Sequence, residues 1–146
     1  MNNSIFMATP ISGFGTKEEY HEYRKEALQL ISYLRNEGYD VNSEIERIGQ
    51  IDLYDSPAKS VEDDFNSIIE NDFFLMLHPA KMQTSTLIEF GFACAQEKRI
   101  VVVADKKNLP YLVIGYQEYS KHAKIIEVEK LNAEVFSDIV KALRSV

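Results

Sequence analysis

Apolar residues fall in two rhythms along this chain: short unbroken runs and longer stretches at helical spacing. The runs at 5–8, 73–77 and 100–104 do not alternate with polar residues, the mark of strands covered on both faces. Weaker strand signals lie at 39–41 and 124–128. Between the first two strands Tyr23, Ala27, Leu30, Ile31 and Leu34 recur as one helical face. Thr16 and Glu19 stand at capping-box spacing before that face, and Gly38 closes it. A second helix is expected from Ser60, with Asp63 completing a capping box and Val61, Phe65, Ile68 and Ile69 inward. A third helix is expected over about 85–97, a Pro110-led helical segment follows, and a last helix spans about 132–144. Residues 44–59 are polar, hold Gly49 and Pro57, and show no clean period, so they read as an irregular excursion near the mouth of a crevice.

Strands alternating with helices imply right-handed crossovers and a parallel sheet between helical layers. The expectation is a flavodoxin-like α/β three-layer sandwich, five strands in the order 2-1-3-4-5, with residues 1–146 as one domain. The strand order reverses between the first and third strands. Ligands in such sheets sit beyond the carboxyl ends there, which places 9–16, 78–89 and 104–105 around the crevice.

Composition narrows the partners. With a net charge of -7 over 146 residues the surface as a whole repels a nucleic-acid backbone. Cys94 is the single cysteine, which excludes an internal disulfide and suits a reducing compartment. No basic-then-apolar leader opens the chain and no apolar run approaches ~18 residues, so a cytoplasmic protein without a membrane partner is expected.

Candidate chemistry clusters in two places. Thr84 and Ser85 are helix-capping types, so Glu89 falls in or just after the first turn, where the helix dipole is expected to keep it ionised. A carboxylate so held suits a nucleophile or a charge stabiliser; equally, it suits a residue that only starts a helix. Gly91 is expected to admit another backbone. The loop Ser12-Gly13-Phe14-Gly15-Thr16 joins a strand to a helix start and is either an anion-binding loop or a plain connection. Asp63 and Asp64 open the second helix, one as a cap and the other free to face the crevice. His78 ends a buried strand; with His21 and His122 it shows no metal-ligand spacing, and no metal or cofactor is expected. Cys94, Phe90 and Phe92 read as core, and so does Phe6, although it lies nearest the crevice.

The order of these parts, above all Glu89-Phe90-Gly91-Phe92-Ala93 just before the strand at 100–104, resembles the nucleoside 2-deoxyribosyltransferase family and its nucleotide N-glycosidase branch. The resemblance covers most of residues 4–105. It implies that Glu89 attacks C1′ of a nucleotide or nucleoside and that Asp64, or Asp63 beside it, protonates the leaving base. The glycosyl group then passes to water or another base. It further implies that Phe6 lies near the sugar and that Ser12 and Gly13 hold a 5′-phosphate with help from Ser85. His78 and Gln83 complete the implied substrate-binding set, and the family's sites imply a homodimer or higher homo-oligomer. Phe6 and Gln83 depart from the family pattern, which commonly has a tyrosine and an acidic residue there. Gln83 and the Gln83-Thr84-Ser85-Thr86 approach to the helix, which replaces the family's usual one, favour nucleotide hydrolysis over base exchange, while Phe6 lacks the hydroxyl that orients the nucleophile. Phe6 and Gln83 also admit a non-catalytic nucleotide-binding sensor, and related TIR domains use a similarly placed glutamate as NAD glycohydrolases.

Overall fold

The computed structural model describes residues 3–49, 55–80 and 84–146. Gln83, a predicted substrate contact, lies outside the described residues. Five parallel strands form one sheet in the expected order 2-1-3-4-5. They are β1 (Ser4–Ala8), β2 (Asp40–Asn42), β3 (Phe73–His78), β4 (Arg99–Ala104) and β5 (Ala123–Glu127). The helices are α1 (Lys17–Asn36), α2 (Pro57–Glu70), α3 (Ser85–Ala95), α4 (Tyr111–Tyr119) and α5 (Phe136–Leu143).

β3 is buried at every residue because β1 and β4 flank it and helices cover both faces. The two-residue period of its side chains then divides the core. Ile5, Met7, Leu75, Leu77, Val101 and Val103 face α1 and α5. Phe6, Phe74, Met76, Ile100 and Val102 face the other way, onto Ile68 of α2, Phe90 and Ala93 of α3, and Val113 of α4. β2, at the sheet edge, keeps only Val41 buried.

Thr16 and Glu19 form the expected capping box of α1, and Gly38 ends it at φ +90. The second helix departs from expectation. It starts at Pro57, with Ser56 as cap accepting the Lys59 N–H at 3.3 Å, so Asp63 caps nothing and instead pairs with Lys59. Pro supplies a ready helical φ at the first position, and a capping pattern three residues later could not outweigh it. Val61 and Ile69, expected inside, are about half exposed; Ile68 is the buried residue of this helix. At the other end of the chain α5 begins at Phe136, after a 3-10 turn, Ala133–Val135, that Asn132 caps.

The polar stretch after β2 is tied down rather than loose at its start. A 3-10 turn, Glu44–Glu46, is held by α1: Arg24 donates to the Ile45 and Glu46 carbonyls at 2.9 Å, and the Tyr20 hydroxyl to the Ile48 carbonyl at 2.5 Å. Ser43 Oγ donates to the Met7 carbonyl at 2.9 Å. These bonds fix Glu44 and Arg47 beside the carboxyl end of the sheet.

Candidate active site

α2 and α3 pack side by side on one face of the sheet, and their contact sets the geometry. The rings of Phe65 and Phe92 stack 4.0 Å apart at 7°. Asp64 precedes Phe65, and Glu89 lies one helical turn before Phe92, so the stack that joins the helices also aims the two carboxyls at each other. Asp64 and Glu89 are within hydrogen-bonding reach. The free Glu89 Oε2 is buried and has no protein partner among the described residues.

Two carboxyls so close cannot both ionise. Burial pushes Asp64 up to about 6 against the pull of its bond to Glu89, while Glu44 and Asp63 raise it further and Arg47 lowers it. Burial, then the charge of Asp64, raises Glu89 well above the ordinary carboxylate range. The helix dipole therefore does not keep Glu89 ionised, as its place near the start of α3 predicts. Burial and a neighbouring carboxyl outweigh a partial charge screened within the first turn. Asp64 and Glu89 are thus placed to share a proton, whose titration belongs to both residues together.

Three further groups missed by sequence reasoning surround the pair. Glu44 acts on both carboxyls, and Arg47 bridges Glu44 at 3.1 Å and Asp55 at 2.8 Å. The 44–47 spacing of opposite charges was a legible sign of the first contact. Carboxyl oxygens of Glu44, Asp55 and Asp63 lie within 4.8 Å of one another, close enough for a divalent cation. Arg47 pairs with Glu44 and Asp55 and Lys59 with Asp63, two cations against three carboxylates.

The other predicted contacts scatter. Phe6 is 3% exposed, stacked on Phe74 with centroids 6.0 Å apart, and offers no face to a sugar. A strand residue paired on both sides under α2 and α3 is core before it is site. His78 is wholly buried, on the same sheet face as Phe74 and Met76, and is among the residues that line the cavity at the carboxyl edge. Burial lowers its pKa, and neither ring nitrogen reaches a protein partner at hydrogen-bond distance, although the Asn108 backbone approaches. Ser12, Gly13 and Ser85 are exposed at the carboxyl edge, as expected. At the end of their loop, however, Glu19 Oε2 takes the N–H groups of Gly15 at 2.8 Å and Thr16 at 3.2 Å. Gly91 meets nothing within 4 Å, so the expected close backbone approach does not occur. Thr84 sits at the N-cap of α3 without a side-chain capping bond. Cys94 is half-buried, and burial pushes its thiol up to about 11, against a pull from Tyr116, which makes it inert.

A cavity of about 590 Å³ opens at the carboxyl edge and is lined by Gly13 and Asp105, yet neither Asp64 nor Glu89 lines it. Leu77 and Val103 line it from the opposite face of the sheet, His78 and Ala104 from the nearer one. No described helix is long and apolar enough to cross a membrane.

No family model matches the chain, and no curated protein matches it by sequence. Solved structures do match in fold. The chain is similar to the CMP N-glycosidase BcmB of Clostridium botulinum, at 22% identity over 94% of this chain and 98% of that one, TM-score 0.71. It is similar to BlsM at 21% identity, 98% and 90% coverage and TM-score 0.78. A conserved protein of Enterococcus faecalis V583 matches at 12% identity over 99% and 98%, TM-score 0.59. At these identities the likeness establishes the architecture.

Proposed function

We propose that this protein cleaves the N-glycosidic bond of a nucleotide or nucleoside. The observation that carries the reading is the Asp64–Glu89 pair, two half-buried carboxyls on adjacent helices placed to share a proton. Its place on a sheet shared with a CMP N-glycosidase supports the reading.

The chemistry follows from that proton. As the bond between C1′ and the base nitrogen lengthens, positive charge grows on C1′ and negative charge on the base. Developing cationic charge beside Glu89 favours its ionised form, which leaves the shared proton on Asp64. Glu89 then bonds to C1′, the C1′–N electron pair leaves with the base, and Asp64 delivers its proton to that base. Water attacks C1′ next, gives its proton to Asp64, and releases Glu89. Each residue ends as it began. The low-polarity setting strengthens every one of these charge interactions.

Hydrolysis of a nucleoside 5′-monophosphate uses this whole cycle. Transfer puts a second base in place of the water, and NAD, whose nicotinamide leaves neutral, needs the Glu89 step without the proton from Asp64. Incubation with a panel of nucleosides, 5′-monophosphates and NAD, read by chromatography for free base, separates them. Base release from one class that is lost in Glu89→Gln is the expected result. Release from none, with the nucleotide still bound by wild type, points to a sensor and overturns the enzyme reading.

A further inference from the structure

The cavity of about 590 Å³ reaches neither Asp64 nor Glu89, although Gly13 and His78, two of the expected substrate contacts, line it. Its size falls within the roughly 300–1,000 Å³ of small-molecule sites. Leu77 and Val103 form its floor and Leu131 a wall, all three from the core layer between the sheet and α1 and α5. Phe14 and Tyr23 close another side with ring centroids 5.1 Å apart. The Tyr23 hydroxyl is spent on Thr9 Oγ1 at 2.6 Å, so the ring presents its apolar body to the cavity.

The rim is acidic. Glu22 and Glu26 stand one turn apart on α1, where like charges repel, and Glu129 joins them from the segment after β5. Against them stand Lys25 and Lys130, and among the described residues none of these five is in an ion pair. An anion finds no partner at the nearby start of α1, because Glu19 already takes the N–H groups of Gly15 and Thr16. Asp105 is held by Lys107 at 2.7 Å. What remains is a slot with an apolar floor and the buried ring of His78 in its lining, and at its mouth three uncommitted carboxylates outnumber two uncommitted lysines.

We propose that this cavity is a second ligand site, for a small molecule with a flat apolar body and one cationic group. The body lies on Leu77, Val103 and Leu131 between the aromatic rings. The cation sits between Glu22 and Glu26, relieving their repulsion. Because the floor residues face away from Asp64 and Glu89, binding is independent of the carboxylate pair.

Three indoles of nearly equal shape test the charge rule: tryptamine, tryptophol and indole-3-acetate, each titrated while backbone amides are followed by NMR. Tryptamine is expected to shift Leu77, Val103 and Leu131 saturably, tryptophol more weakly and indole-3-acetate not at all. Glu26→Gln and Glu22→Gln should each weaken tryptamine by about tenfold, the size of one charge-assisted contact. Glu89→Gln should leave it unchanged, and base release plays no part in the readout. Equal response to amine and acid, no response to tryptamine, or shifts confined to α2 and α3 would each overturn the proposal.

Discussion

The two faces of the sheet handle buried polarity in opposite ways. On the α2–α3 face an aromatic stack joins two helices and brings two carboxyls together, each raised above its ordinary range. On the α1–α5 face the layer stays apolar and the carboxylates remain at the rim, facing an open cavity. The same residue types thus become a proton-sharing pair on one side and a cation-attracting rim on the other. Burial makes the difference, since each sheet face has about the same sequence rhythm.

The comparison breaks first at Glu89. Glu89→Gln should lower base release by at least about 1,000-fold with the fold intact, as expected for a lost nucleophile. Unchanged turnover removes it from the mechanism. Asp64→Asn should cost about 100-fold, the usual worth of a proton donor, and should spare any substrate whose base leaves without a proton. If the shared proton is needed, the rate of wild type against pH is a bell. Its acid limb lies near the value of about 6 of Asp64 and its alkaline limb higher, where the pair loses its last proton. A flat profile across that range separates activity from the pair.

A smaller effect tests the stack. Phe92→Ala should destabilise the protein by about 2 kcal/mol by opening the contact with Phe65. It should also bring the pH dependence closer to that of ordinary carboxyls. A comparable loss of stability with an unaltered pH profile would show that the stack does not hold the pair.

The smallest effect is on stability against pH. A carboxyl whose folded pKa is raised favours folding while protonated, and loses that contribution as pH rises through the folded value. Here the window opens near the ordinary 3.8 of aspartate and extends through about 6. Wild type should therefore melt at higher temperature at pH 5 than at pH 8, and Glu89→Gln should flatten the difference by about 3 °C. An equal slope in the variant would show that other groups set it.

Strand rhythm made the sheet legible, because helices on both faces demand the unbroken runs at 5–8, 73–77 and 100–104. Glu89 was legible as an acid near a helix start, and Asp64 only through the family resemblance, since α2 begins at Pro57 and not beside it. Their mutual contact was not, since it depends on the packing angle of two helices. The start of α2 was misread because Ser60 and Asp63 mimic a cap that Ser56 and Pro57 provide. Phe6 and His78 are buried more deeply than their nearness to the crevice suggests, because sequence does not say how a strand's side chains are covered. Glu44 and Arg47 were hidden in a stretch whose order comes from Tyr20 and Arg24 on another element.

The strand order has a consequence for synthesis. β1 is the first strand made, yet it lies inside the sheet, and β3 supplies its longer edge, with Ser4 bonded to Asp72 across 68 positions. At about 5–20 residues per second, roughly 3–14 s pass between the two. During that interval the short β2 alone protects one edge of β1, and the other edge is open to any strand nearby. The nascent N-terminal third is thus the segment most exposed to mispairing, and a ribosome pause before residue 73 would lengthen that exposure.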